Sequence, residues 1–272
     1  MTSEERFFKE KKYNVMGTGI SILQDNSDGV AVAAEGEHSL AFIYATGVVV
    51  VAGTNNYGEC NTKKWRGITD VVLGAFHTIG LREDGRVLAT GKNLFGECDT
   101  EGWEDVIAVA AGNMHSVGLC QDGTVLAVGM NEYGECGTGN WRDIVYIAAG
   151  GFHTVGLRKD GTVVTTMLDD KGVDVAADWQ NIKKIAAGGH HLVGLVENKT
   201  VVAAGSNSYG QCNTAEWQGI ADIAAGNLHT VGLKEGGTVI ASGSNEHGQC
   251  NVDNWSKVEA ISAVNNMTYA NY

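Results

Sequence analysis

Residues 103–140 read WEDVIAVAAGNMHSVGLCQDGTVLAVGMNEYGECGTGN, and Trp141 then opens the same pattern again. A short apolar run, Val106 to Ala111, stops at Gly112, and a Gly-x-x-His turn leads into Ser116 to Leu119. Asp122-Gly123 is the next punctuation, because glycine there takes a positive φ at no steric cost. A third run begins at Thr124, and a Gly-x-Asn-x-Tyr-Gly loop (Gly129 to Gly134) carries the chain to a fourth short segment around Cys136. Runs this short, rich in Val and Ile and bounded by turn residues, are strands; no 3.6-residue stripe persists anywhere. The stretch therefore predicts four short antiparallel strands, A to D, in 38 residues.

Outward from this unit the period repeats along the chain. Tryptophan stands at 65, 103, 141, 179, 217 and 255, and histidine at 77, 115, 153, 191 and 229. Cysteine keeps the same phase at 60, 98, 136, 212 and 250, with Asp174 in the missing slot and Cys120 outside the pattern. Glycine recurs at 58, 96, 134, 172, 210 and 248. A four-stranded unit of about 40 residues, repeated, predicts an all-β fold, a β-propeller. Counted from the histidine position, six continuous units run from Ser39 to Asn266, residues 39–266. The remaining segments, 267–272 and 1–38, make a seventh blade split between the chain ends. In it Gly29 to Gly36 matches strand A and its turn, Ser27 takes the Trp slot, and Met267-Thr268-Tyr269 stands where His-Thr-Val belongs. The expectation is one domain, 1–272, a seven-bladed ring closed by both termini.

The unit Ile-Ala-Ala-Gly-x-x-His-Thr-Val-Gly-Leu-x-x-Asp-Gly-Thr-Val-x-Ala-x-Gly-x-Asn-x-Tyr-Gly-Gln-Cys resembles the repeat of the regulator-of-chromosome-condensation (RCC1) family, from Gly29 onward. Its length is closer to that of bacterial members of the family, among them the β-lactamase inhibitory protein II, than to that of the eukaryotic exchange factor. The chain departs in lacking a proline after the Gly-Gln segment and in starting each unit with Trp. The resemblance implies a propeller and a partner gripped by turn residues; it does not define one activity.

Composition narrows the function. The chain has 272 residues, 43% hydrophobic and 19% charged, with 38 Gly and no Pro, so it affords a sizeable core and is neither collagen-like nor a flexible linker. A net charge of −13 repels phosphate backbones and anionic lipid surfaces, so neither nucleic acid nor membrane is an expected partner. The mixed-charge opening Met1 to Lys12 has no apolar core of a signal peptide, and no apolar run approaches a membrane span; the expected location is cytoplasmic.

The repeated residues point to structure. The tryptophans should pack between blades. The in-phase cysteines should be reduced fillers, since equivalent atoms on neighbouring blades lie too far apart for disulfides and no C-x-x-C exists for zinc. The histidines should bond neighbouring backbone and hold the A–B hairpin; no nucleophile or carboxylate recurs with them, so no catalytic residue, metal or cofactor is expected. The variable residues carry the function instead. Alternation of strand direction puts the A–B turns and C–D loops on one face. At the turn tips stand Phe76, Met114, Phe152, His190, Leu228 and Asn266, a ring that holds large apolar residues where solvent favours polar ones. In the inhibitory relative the corresponding turns carry aromatics that grip the enzyme, and the resemblance extends to these six positions. Tyr57 and its phase-mates are expected to pack beneath the loops. The expected function is a non-enzymatic, monomeric protein-binding propeller, with an inhibitor of a partner enzyme or a lectin-like propeller as alternatives. The segment Thr165 to Asp178, where Asp169, Asp170 and Asp174 replace loop residues, reads as drift or as an acidic contact patch.

Overall fold

The computed structural model describes residues 15–16, 29–32, 40–44 and 47–271. Every regular element among them is a strand, and no helix is long and apolar enough to cross a membrane. Ser27, residues 33–36 and the charged opening Met1 to Lys12 lie outside the described residues.

The 21 strands form seven three-stranded antiparallel sheets. After β1 (Val15–Met16), the first sheet holds β2 (Gly29–Val32), β3 (Leu40–Tyr44) and β4 (Val49–Ala52). The second holds β5 (Ile68–Leu73), β6 (His77–Arg82) and β7 (Val87–Gly91); the third, β8 (Val106–Ala111), β9 (His115–Cys120) and β10 (Val125–Gly129). Then come β11 (Ile144–Ala149), β12 (Thr154–Arg158) and β13 (Val163–Thr165), and β14 (Ile182–Ala187), β15 (His191–Val196) and β16 (Val201–Gly205). The sixth sheet is β17 (Ile220–Ala225), β18 (His229–Lys234) and β19 (Val239–Gly243). β20 (Ala260–Val264) and β21 (Met267–Asn271) pair with each other, and Val15 of β1 pairs with Asn271. The seventh sheet thus takes strands from both chain ends. Gly29–Val32, strand A of the sequence-counted seventh unit, lies in the first sheet with β3. The histidine-to-histidine unit is offset from the sheet by one strand.

Three strands per sheet, not four, is a correction to the sequence expectation. The segment expected as strand D spends its amides locally. Cys60 N–H donates to Asn55 Oδ1 at 2.8 Å, Asn61 N–H to the Gly58 carbonyl at 2.9 Å and Trp65 N–H to the Thr62 carbonyl at 2.9 Å. What would have been a ladder is one side-chain bond, Thr62 Oγ1 donating to the Val49 carbonyl at 3.1 Å, repeated at Thr100, Thr138 and Thr214.

The core lies between sheets. Val117, Leu119 and Val125 of one sheet meet Trp141, Ile144 and Ile147 of the next, and five further clusters follow the same rule. Trp103 lies over Gly118, where a Cβ would sit 2.8 Å from the indole, which explains the glycine inside Thr-Val-Gly-Leu. The first strands of six successive sheets, from β5 to β20, line one shared pocket of about 320 Å³, walled largely by Ala and Val.

Candidate protein-binding face

The histidines are withdrawn from chemistry by their neighbours. All five are buried. In four of them Nε2 lies 2.9–3.1 Å from a hydroxyl on the following sheet: His77 to Ser116, His115 to Thr154, His191 to Thr230 and His229 to Thr268. Each of these hydroxyls gives its own proton to a loop carbonyl, as Thr230 does to Gln211 at 2.8 Å. The ring nitrogen is therefore the donor. This corrects the expectation that the ring holds its own hairpin: the histidine joins two sheets, and at His115 and His229 the backbone of the following sheet, at His153 and Met267, also meets the ring. Burial pushes the pKa of His115, His191 and His229 down to about 4.

The thiols are equally committed. All six cysteines are free, and the five in phase donate Sγ to the carbonyl six residues earlier, as Cys98 does to Lys92 at 3.2 Å. Burial, helped by Glu97 and Asp99, pushes Cys98 up to about 12, and burial takes Cys212 to about 11; neither is a poised nucleophile. Asp174, in the missing slot, accepts from the amides of Thr165 and Ala176 at 2.8 and 2.7 Å, which makes it a loop brace. Glu59, Glu97 and Glu135, with Gln211 and Gln249 in phase, are buried as well, and their side chains accept the amide two residues before, such as Tyr57 N–H to Glu59 at 2.7 Å. No group of three or more His, Cys, Asp or Glu among the described residues could hold a metal ion.

That bracing turns the loop aromatics outward. Tyr133 is 69% exposed, Tyr57 52% and Tyr209 50%, and Leu94 and Phe95 join them. The expectation that Tyr57 and its phase-mates pack beneath the loops is overturned: the buried Glu or Gln fills that space, and the amide bond it accepts fixes the tyrosine backbone above it. Of the six tip residues, His190 is exposed and Phe76, Met114, Phe152, Leu228 and Asn266 are half-buried. Phe76 meets Tyr57 edge-to-face with centroids 5.7 Å apart, and Lys92 Nζ lies 5.0 Å from the Phe76 centroid. Phe152 meets Tyr133 in the same way at 6.0 Å, and His190 stacks on Phe152 at 4.9 Å. Tips and loops thus share one face, and two of the six tips combine with loop tyrosines into exposed aromatic clusters. The signal for the loop contribution was in the sequence, as in-phase Tyr or Phe beside an in-phase Glu or Gln.

Repeated three-stranded antiparallel sheets with buried residues in phase between them are the architecture of a β-propeller. Four stretches, 68–97, 106–135, 182–211 and 220–249, match the regulator of chromosome condensation (RCC1) repeat. These four stretches are RCC1 repeats, set in a β-propeller fold. The interval between the second and third matches holds the divergent loop. Among solved structures, Prp20p from Saccharomyces cerevisiae superposes with a TM-score of 0.71 at 15% identity, covering 92% of this chain and 83% of that one; its structure is described with its binding to Gsp1p and histones. Yeast RCC1 (Prp20) bound to Kap60 gives the same score and identity, covering 92% of this chain and 81% of that one. The ectodomain of the Physcomitrella patens receptor kinase CR4 matches at 0.67 and 21% identity over 87% of this chain and 69% of its own. No curated protein matches the chain at a significant level.

Proposed function

We propose that this chain is a non-enzymatic, monomeric, cytoplasmic scaffold that binds a protein partner through the face carrying the A–B turns and C–D loops. The anchors are Phe76, Met114, Phe152, His190, Leu228 and Asn266, joined by Tyr57 and Tyr133. One observation carries the reading: rings stay exposed on this face although nothing in the sheet ladders requires them there. Aromatics in such patches are the usual anchors of protein interfaces. The similarity to Prp20, whose structures are described with Gsp1p, histones and Kap60, supports a protein as the partner.

The test is affinity capture from the source cell's lysate with the wild-type chain and with a Phe76→Ser, Phe152→Ser variant. A partner retained by the first and lost by the second supports the proposal. A partner retained equally by both, or binding confined to a glycan array, contradicts it.

A further inference from the structure

The two aromatic clusters are the same construction 76 residues apart, and they differ in one component. At Tyr57 and Phe76 the chain supplies its own cation: Lys92 Nζ lies 5.6 Å from one centroid and 5.0 Å from the other. The position is fixed by backbone, since Lys92 N–H donates to the Phe76 carbonyl at 2.8 Å. An ammonium within about 6 Å of a ring face is attracted by its quadrupole. Tyr133 and Phe152 repeat the edge-to-face pair, with an interplanar angle of 83° against 73°. There the strand ends early. Thr166 N–H donates to the Thr154 carbonyl, the residue in phase with Lys92 is Leu168, and among the described residues no lysine or arginine lies over either ring. Instead the pair is extended by His190 and flanked in sequence by exposed carboxylates, Glu132 next to Tyr133 and Asp169 and Asp170 next to Leu168.

We propose that Tyr133, Phe152 and His190 form a seat for a lysine or arginine side chain of a partner protein. The inference rests on the protein-binding reading of this face and specifies the chemistry it takes. The occupied cluster at Lys92 shows what the geometry accommodates, and the flanking carboxylates and the net charge of −13 favour a basic segment over an acidic one. The seat selects the cation by ring contact, while the carboxylates raise its local concentration.

The probe is a labelled hexalysine peptide titrated at 0.15 M salt, where attraction beyond about 8 Å is screened. Its fully acetylated form serves as the neutral control. The wild type should bind one hexalysine and no acetylated peptide. Tyr133→Ser should weaken binding about two- to fivefold, the range of an exposed cation–ring contact. Lys92→Ser, which places there the residue found in phase at Ser206 and Ser244, should open the second seat and raise the number of peptides bound to two. Absence of hexalysine binding overturns the proposal, as does binding that neither substitution alters, which is diffuse charge attraction. Either failure leaves the protein-binding face standing if the Phe76→Ser, Phe152→Ser variant still loses its partner.

Discussion

His229 gives its Nε2 proton to Thr268, whose own proton goes to the Gln249 carbonyl, so one buried chain of hydrogen bonds ties two sheets to a loop. Charging such a ring would remove nothing from the donor side but would place a cation in a site without solvent, which is why burial holds these histidines near 4. The unfolded chain binds protons at about 6.5, the folded one only near 4, so this stability is complete above pH 6.5 and drains away as pH falls towards 4. Each such histidine contributes up to about 1.4 kcal/mol per pH unit in that window. Asp70 and Asp174, raised by burial, pull the opposite way at the lower end. Urea unfolding at pH 7.5 and pH 5 should show a clear loss at pH 5; equal midpoints would contradict the ladder. His153 is the exception that calibrates the rest. Leu192 occupies the hydroxyl's place, and neither ring nitrogen reaches a hydrogen-bond partner, although the His191 backbone lies beside the ring. Burial, with His115, His191 and His190 nearby, pushes it down to about 3. Removing an unbonded polar group is neutral or favourable, whereas removing one partner of a buried bond costs about 1–3 kcal/mol. His153→Leu should therefore be tolerated and His229→Leu should not; equal losses in chemical denaturation would refute the assignment.

At the scale of the strand, the repeat is held by close approach between an indole and a glycine. A Cβ at Gly118 would lie 2.8 Å from Trp103 Cζ3, so Gly118→Ala must shift one of the two. The expected cost is about 1–3 kcal/mol, as for overpacked cores. Gly139→Ala meets nothing within 4 Å and should stay within about 0.5 kcal/mol. Comparable melting points for the two would contradict the packing account. The strand pattern was legible because Val, Ile and turn residues recur at a fixed period. The fourth strand was misread because Cys-Asn-Thr looks like a ladder segment, while its amides answer to Asn55 and to carbonyls within the loop. The histidine bonds were missed because each joins residues 39 apart, one step across the repeat, so no single unit displays both partners. The buried Glu59 looks like a loop polar residue until the in-phase Glu97, Glu135, Gln211 and Gln249 are set beside it, with Val173 in the divergent unit as the one departure.

For the whole molecule, the division of labour is between ladders that repeat and a face that varies. The seven sheets, with β1 and β21 joining the chain ends, give a support whose energetics sit between blades, in clusters such as Ile79, Leu81 and Val87 against Trp103, Val106 and Val109. The tips Phe76 and Phe152 belong to none of these clusters and lie half-buried among loop rings. Scaffold and face should thus be separable by mutation. The direct measurement is the unfolding free energy of the Phe76→Ser, Phe152→Ser variant beside that of Trp103→Ala. The account predicts a loss within about 1 kcal/mol per tip, as for surface substitutions, and about 3–5 kcal/mol for the buried indole. If the tip variant loses as much as the Trp103→Ala variant, the tips are core residues and the separation of scaffold from binding face is wrong.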